Sequence, residues 1–145
     1  MPECSGEGLE GRYISTITAA VFLAEFSDYP LRHSFILDSG STIHITNDRN
    51  RIRNLRPPTT ADYIWAGNTQ VCIQGYGSVV LNLVGPNGST KLELSNVAFC
   101  PDILCNLVSF RLLRQQGIWW DNKSNPTALK KQDDTTIATL KEAHG

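Results

Sequence analysis

The chain reads as a mainly β fold, a small closed barrel or a sandwich, and three observations carry that expectation. From His33 onward the apolar residues fall in strand-length blocks, either continuous or alternating. Turn signals built from Gly, Pro and Asn separate those blocks. Within this region only one segment, near its C-terminal end, has helical spacing.

The elements follow in chain order. The opening "MPECSGEGLEGR" is rich in Gly and Glu and has no period, so it reads as linker or disorder. "YISTITAAVFLAEF" places Ile14, Ile17, Val21 and Ala24 at helical spacing and predicts a short helix, although its β-branched content works against one. "SDYP" ends it, because Tyr29 precedes Pro30. "SFILD" is a continuous apolar strand. "ADYIWAGNTQVCI" predicts a hairpin around Ala66-Gly67-Asn68, with Gly and Asn supplying positive φ. "SVVLNLV" is a strand and "GPNGS" a turn. "TKLELSNVAF" sets Leu92, Leu94 and Asn96 against Lys91, Glu93 and Ser95, the pattern of a half-buried strand. "NLVSFRLLRQQG" brings Leu107, Phe110, Leu112 and Leu113 to near-helical spacing and stops at Gly117. "GIWWDN" is a last short strand. The arginines of "RNRIRNLRPP" (Arg49, Arg51, Arg53, Arg56) read as a solvated loop, with a nucleic-acid contact as the sharper alternative. Residues 126–145 read as a polar tail with room for one hairpin around Asp133-Asp134.

Bulk properties narrow the function. The 145 residues suit one domain, and 41% hydrophobic content supports a packed core. A net charge of -1 argues against a general nucleic-acid-binding domain, which carries a basic excess. No run of eighteen apolar residues is present, so no membrane span is expected. Cys4, Cys72, Cys100 and Cys105 form no CxxC pair. Without a signal peptide they read as free buried thiols in an intracellular, cytoplasmic protein, and their spacing to His33, His44 and His144 offers only a weak metal site. No metal or other cofactor is expected.

The chemistry concentrates at Asp38-Ser39-Gly40. An aspartate closing an apolar strand sits in a partly desolvated place. Gly40 lets the backbone turn sharply and approach other groups, and Ser39 offers a hydroxyl to a neighbouring loop. Should a second identical carboxyl face Asp38, the two share one proton, and they divide the base and acid roles of peptide hydrolysis. The plainer reading is an Asx turn or a helix cap after a strand.

The run "ILDSGSTIHITND" resembles the active-site segment of retropepsin-like domains in the Pol polyproteins of copia-type long-terminal-repeat retrotransposons, in a fungal-like form. "YIWAGNTQVCIQGYGSVVL" is similar to the family's flap hairpin and following strand, with its Gly-x-Gly-x-Val. "LELSNVAFCPDILCNLVSFRLLRQQGIWWD" resembles its Asn-Val-x-x-x-Pro-x-x-x-x-Asn-Leu-x-Ser block and the helix after it. The resemblance runs from about His33 to Asn122 and implies the small closed acid-protease β-barrel with a flap hairpin and one short helix. It divides the chain into an N-terminal linker or short helical extension (1–32), the barrel domain (33–125) and a polar tail (126–145).

By this resemblance Asp38 is the catalytic carboxylate, and Ser39, Gly40, Ser41 and Thr42 form the active-site loop. Ser41 stands where the family usually has Ala. Trp65, Ala66, Gly67 and Asn68 form the flap, where the family often has Asp-Gly. Leu107, Val108 and Ser109 lie beneath the catalytic loop, Ser109 standing where retroviral relatives have Gly. His44 is a possible base or ligand, but reads better as a structural histidine bonded to nearby backbone. None of the other aspartates (Asp28, Asp48, Asp62, Asp102, Asp121, Asp133, Asp134) has a Ser/Thr-Gly after it. Activity would therefore need a homodimer, with a polyprotein peptide as substrate and neither membrane nor direct nucleic-acid contact. In an intact element its place would be a virus-like particle. The chain has no zinc knuckle and no integrase or reverse-transcriptase region, which keeps a non-catalytic or decayed β-barrel as the alternative.

Overall fold

The strand-forming blocks pair into three sheets in a computed structural model that describes residues 13–17 and 30–141. Six strands form the main sheet. They are β2 (Phe35–Asp38), β3 (Ile45–Thr46), β4 (Ile52–Arg56), β7 (Gly75–Gly85), β8 (Gly88–Phe99) and β9 (Asn106–Ser109), in the order β2-β9-β3-β8-β7-β4. β2 runs parallel to β9, and the long β7–β8 hairpin is antiparallel around a two-residue Pro86-Asn87 loop. Among the described residues the ladder is open, with β2 and β4 at its edges, and the expected closed barrel is not seen there.

Alternation along the strands gives this sheet two apolar faces. Ile36, Ile45, Ala98 and Leu107 point to one face, where they meet Ile64, Ala66, Val71 and Ile73. Those last residues belong to the hairpin of β5 (Tyr63–Ala66) and β6 (Thr69–Cys72). Phe35, Leu37, Val97, Phe99 and Val108 point to the other face and pack with Leu113, Ile118, Leu129 and Ile137. This second layer consists of α1 (Phe110–Gln115) and the antiparallel sheet β10 (Ile118–Asp121), β11 (Ala128–Lys131) and β12 (Thr136–Thr139).

Several expectations change. Tyr13–Ile17, expected as part of a helix, forms β1, parallel to β5 with Ile17 opposite Ala66. β-branched residues lose χ1 freedom in a helix and suit a strand beside an open ladder. The rest of that expected helix lies outside the described residues. Asn106–Ser109, expected in the late helix, is strand β9, and the helix is only Phe110–Gln115, with Gly117 past its end at φ 78. The segment expected as a polar tail with room for a hairpin around Asp133-Asp134 forms that hairpin, and it packs into the core. Ala128, Leu129, Ile137 and Ala138 are buried, and Asp134 takes φ 64 in the turn between β11 and β12.

The centre of the arginine segment, Ile52–Arg56, expected as a loop, is edge strand β4. Its register against β7 slips between Arg53 and Arg56, where Asn54 takes φ 55. That bulge turns both Ile52 and Leu55 inward although they stand three apart, which hides the strand from a period-two reading. A second bulge at Asn96 (φ 52) shifts the inward set of β8 from Leu94 to Val97 and leaves Asn96 exposed, contrary to the expected alternation. Arg56 donates to the Asn96 side chain, so the two bulges are tied together.

Gly75 and Gly77 are required by the approach of β4. A Cβ on Gly77 would lie 2.5 Å from the Arg53 carbonyl oxygen and 2.7 Å from Ile52 Cγ1. Gly77→Ala is therefore expected to lower unfolding free energy by about 1–3 kcal/mol in urea titration, because backbone stands in the way. Gly88→Ala, whose Cβ meets nothing within 4 Å but whose φ is +112, loses about 1 kcal/mol. Equal losses would contradict this account.

Candidate functional site

The parallel β2–β9 ladder ends by placing Asp38 opposite Ser109. β2 then gives way to a loop, Ser39–His44, that leads into β3. Asp38 shares the sheet face of Ile36, the face covered by the β5–β6 hairpin. Its side chain is buried, at 8% exposure. Oδ1 accepts the Gly40 N–H at 2.7 Å, the tight turn that Gly permits, while Oδ2 is buried with no hydrogen-bond partner among the described residues. Burial lifts the Cys105 thiol to about 11, with the Asp38 charge adding to the rise. Cys100 and Cys105 are not disulfide-bonded and are buried in the same apolar cluster.

Ser39 and Gly40 are exposed, whereas Ser41 is buried and its hydroxyl donates to the Ile43 carbonyl at 2.6 Å. Ser109, fully buried, makes three hydrogen bonds with two groups, two of them to this loop. Its hydroxyl donates to the Ser41 carbonyl at 2.7 Å, its N–H donates to His44 Nδ1 at 2.9 Å, and the same hydroxyl accepts the Leu112 N–H as the N-cap of α1. Leu107 and Val108, the other residues expected beneath the loop, pair with Ile36 and Leu37 and point to opposite faces of the sheet. Thr42 lines a cleft of about 290 Å³ with His44.

A backbone N–H only donates, so His44 Nδ1 must be an unprotonated acceptor and the neutral ring carries its proton on Nε2. Burial pulls the imidazole from 6.5 down to about 4. His44 is thus held as a structural acceptor for backbone.

The expected flap residues do form a hairpin tip. Gly67 takes φ 64 at the first loop position, the conformation that primed turns need there, between Ala66 and its ladder partner Thr69. Trp65 packs edge-on against Tyr63 at 5.9 Å. Gly67 and Asn68 are exposed, but Ala66 is only 1% exposed within the core, so the hairpin lies down on the sheet.

Two buried polar residues that organise the site escaped the sequence reading. Asn106 accepts from Thr46 Oγ1 and from the Asn47 N–H, each at 2.8 Å, and donates to the Ser34 carbonyl at 3.1 Å, joining the starts of β2 and β9 to the end of β3. The available signal was an amide inside the apolar run "ILCNLV". Asp62, at 0% exposure, accepts from Tyr76 Oη and Thr60 Oγ1 at 2.6 Å each and fixes the root of the hairpin. No group of three or more His, Cys, Asp or Glu that would hold a metal occurs among the described residues.

Two outcomes follow from this polar framework. Asn106→Leu keeps the volume but strands the Thr46 hydroxyl and the Asn47 N–H, and is expected to cost about 2–4 kcal/mol in chemical unfolding. His44 has a depressed folded pKa, so its contribution is whole above about pH 6.5. It fades as pH falls towards 4, where the native state also takes the proton. Unfolding of the wild type should lose up to about 3 kcal/mol to this residue across that window. His44→Asn, with an acceptor that takes no proton, should show that much less pH dependence.

The family model described as Pol polyprotein, beta-barrel domain matches residues 35–118. The chain is 34% identical over 88 residues to the retrovirus-related Pol polyprotein from transposon RE1 of Arabidopsis thaliana, covering 59% of this chain and 6% of that protein. It is 36% identical over 78 residues to the corresponding polyprotein from transposon RE2 of the same plant, covering 53% of this chain and 5% of that one. No solved structure matches. The family match begins with β2, which carries Asp38 into the loop, and ends as β10 starts beyond α1, enclosing the whole site; this chain belongs to the beta-barrel domain family of retrotransposon Pol polyproteins.

Proposed function

We propose that the domain is the aspartic endopeptidase of a copia-type retrotransposon Pol polyprotein, with two chains each giving one Asp38 to a shared site. The observation that carries this reading is the Asp38 side chain itself. One oxygen is bonded to the loop backbone and the other is buried without a donor. An unmatched buried carboxylate oxygen costs about 1–3 kcal/mol. A second Asp38 across a two-fold axis supplies the missing donor, because two close carboxyls retain one proton between them. The ionised member then takes a proton from water while the protonated member polarises the scissile carbonyl.

In this reading Ser39 and Gly40 face the partner chain and the substrate, and the Trp65–Asn68 tip lifts to admit an extended stretch of the polyprotein. The chemistry needs no cofactor. Its setting is the cytoplasm and, in an intact element, the virus-like particle. The copia-type assignment rests on the three ordered motif blocks. The fungal-like form rests on those motifs alone, as both relatives described are from a plant.

A second reading, a non-catalytic β module, draws on the buried Ala66 and on the pairing of β1 with β5, which hold the hairpin down on a single chain. Incubation with a peptide library at mildly acidic and neutral pH separates the two. The wild type is expected to cleave, to sediment as a dimer and to be blocked by a pepstatin-like mimic. Asp38→Asn should lower cleavage by at least about 10³-fold. No cleavage from a monomeric wild type supports the module.

A further inference from the structure

We propose that Ser109 and His44 are positioning residues for the Asp38 loop, and that proton uptake by the His44 imidazole unlatches it. The catalytic part of this proposal rests on the endopeptidase reading; the latch does not.

The geometry is a chain of three links, the first two of them buried. His44 Nδ1 accepts the Ser109 N–H at 2.9 Å, which fixes the backbone where β9 turns into α1. The Ser109 hydroxyl, placed by that backbone, donates to the Ser41 carbonyl at 2.7 Å. Ser41 follows Gly40, whose N–H holds Asp38 Oδ1 at 2.7 Å. The orientation of the carboxylate is thus set through α1 and β9 within one chain. A glycine at position 109 has no hydroxyl for the middle link.

Protonation breaks the first link by exchange of roles. The neutral ring has its proton on Nε2 and its lone pair on Nδ1. The incoming proton takes that lone pair, and two N–H groups then face each other, with no acceptor between them. The cleft that His44 lines is otherwise lined by Thr42 and Ile43 from its own loop, Ser95 and Asn96 from β8, and Leu112, Gln115 and Gln116 from α1 and its C-terminal end. None titrates, and none offers a carboxylate to stabilise an imidazolium. Asp38 stands at the head of the same loop and Arg111 further round α1, yet burial is the single cause of the ring's low pKa of about 4. The latch therefore opens as the pH falls towards 4, and the loop then no longer holds Asp38 in its working orientation.

The test uses the full chain. The kcat/KM profile of the wild type on a cleaved peptide is expected to show an acid limb that His44→Asn moves down by at least about one pH unit, because Oδ1 replaces Nδ1 as acceptor and takes no proton. Ser109→Ala should lower kcat by about ten- to a hundred-fold with KM little changed, and Ser109→Thr should restore it. In parallel, amide-exchange protection of Gly40 and Ser109 in the wild type should fall along the His44 titration followed by imidazole ¹⁵N shifts, and stay flat in His44→Asn. An identical acid limb and identical protection profile in both proteins would overturn the latch. Protection that follows His44 in a wild type without peptidase activity would uphold the latch and remove the endopeptidase reading.

Discussion

The parallel pairing of β2 with β9 is the constraint on which the site depends. Parallel strands need a crossover between them, and here the intervening chain supplies the rest of the main sheet and the hairpin. The register sets Asp38 against Ser109, so a residue that ends one strand meets a residue that ends the other and caps a helix. A slip by one position would move Asp38 to the opposite face, among Phe35 and Leu37, and would break the bonds from Ser109 to Ser41 and His44. Asn106 guards against that slip, since its amide bonds Ser34, Thr46 and Asn47 only in this register.

From that register the remaining architecture follows by alternation. One face of the sheet takes Ile36, Leu107 and Asp38 towards the hairpin, and the other takes Leu37 and Val108 towards α1 and β10–β12. The carboxylate consequently sits at the margin of an apolar cluster beneath a two-residue turn. Desolvation and proximity to backbone N–H groups come from the same placement. His44 pays the clearest electrostatic cost of that burial, and its neutral ring is what allows it to receive a backbone N–H.

The β-rich class, the hairpin at Gly67, the Asp-Ser-Gly loop and the stop at Gly117 were legible, because each rests on a local rule of period or turn. β4 and the phase of β8 were not. Their bulges at Asn54 and Asn96 break the period of two, and an asparagine at positive φ is indistinguishable in sequence from one in a loop. The β11–β12 hairpin was expected around Asp133-Asp134, but not as part of the core, since its buried residues are few and stand among Lys, Asp and Thr. Only contact with β7 and β10 gives Leu129 and Ile137 a core to enter.

By itself the sequence determined where a carboxylate closes an apolar strand, since Asp38 after that strand and before a Ser-Gly turn is local covalent and steric information. The tertiary structure alone decided what those residues face. Ser109 became a brace and His44 an acceptor through contacts 65 to 68 positions apart in the chain. The Asp62 carboxylate became the hairpin's anchor only through the Tyr76 hydroxyl. Such pairings depend on strand register, and register is fixed by burying whole sheet faces at once, which no short stretch of sequence encodes.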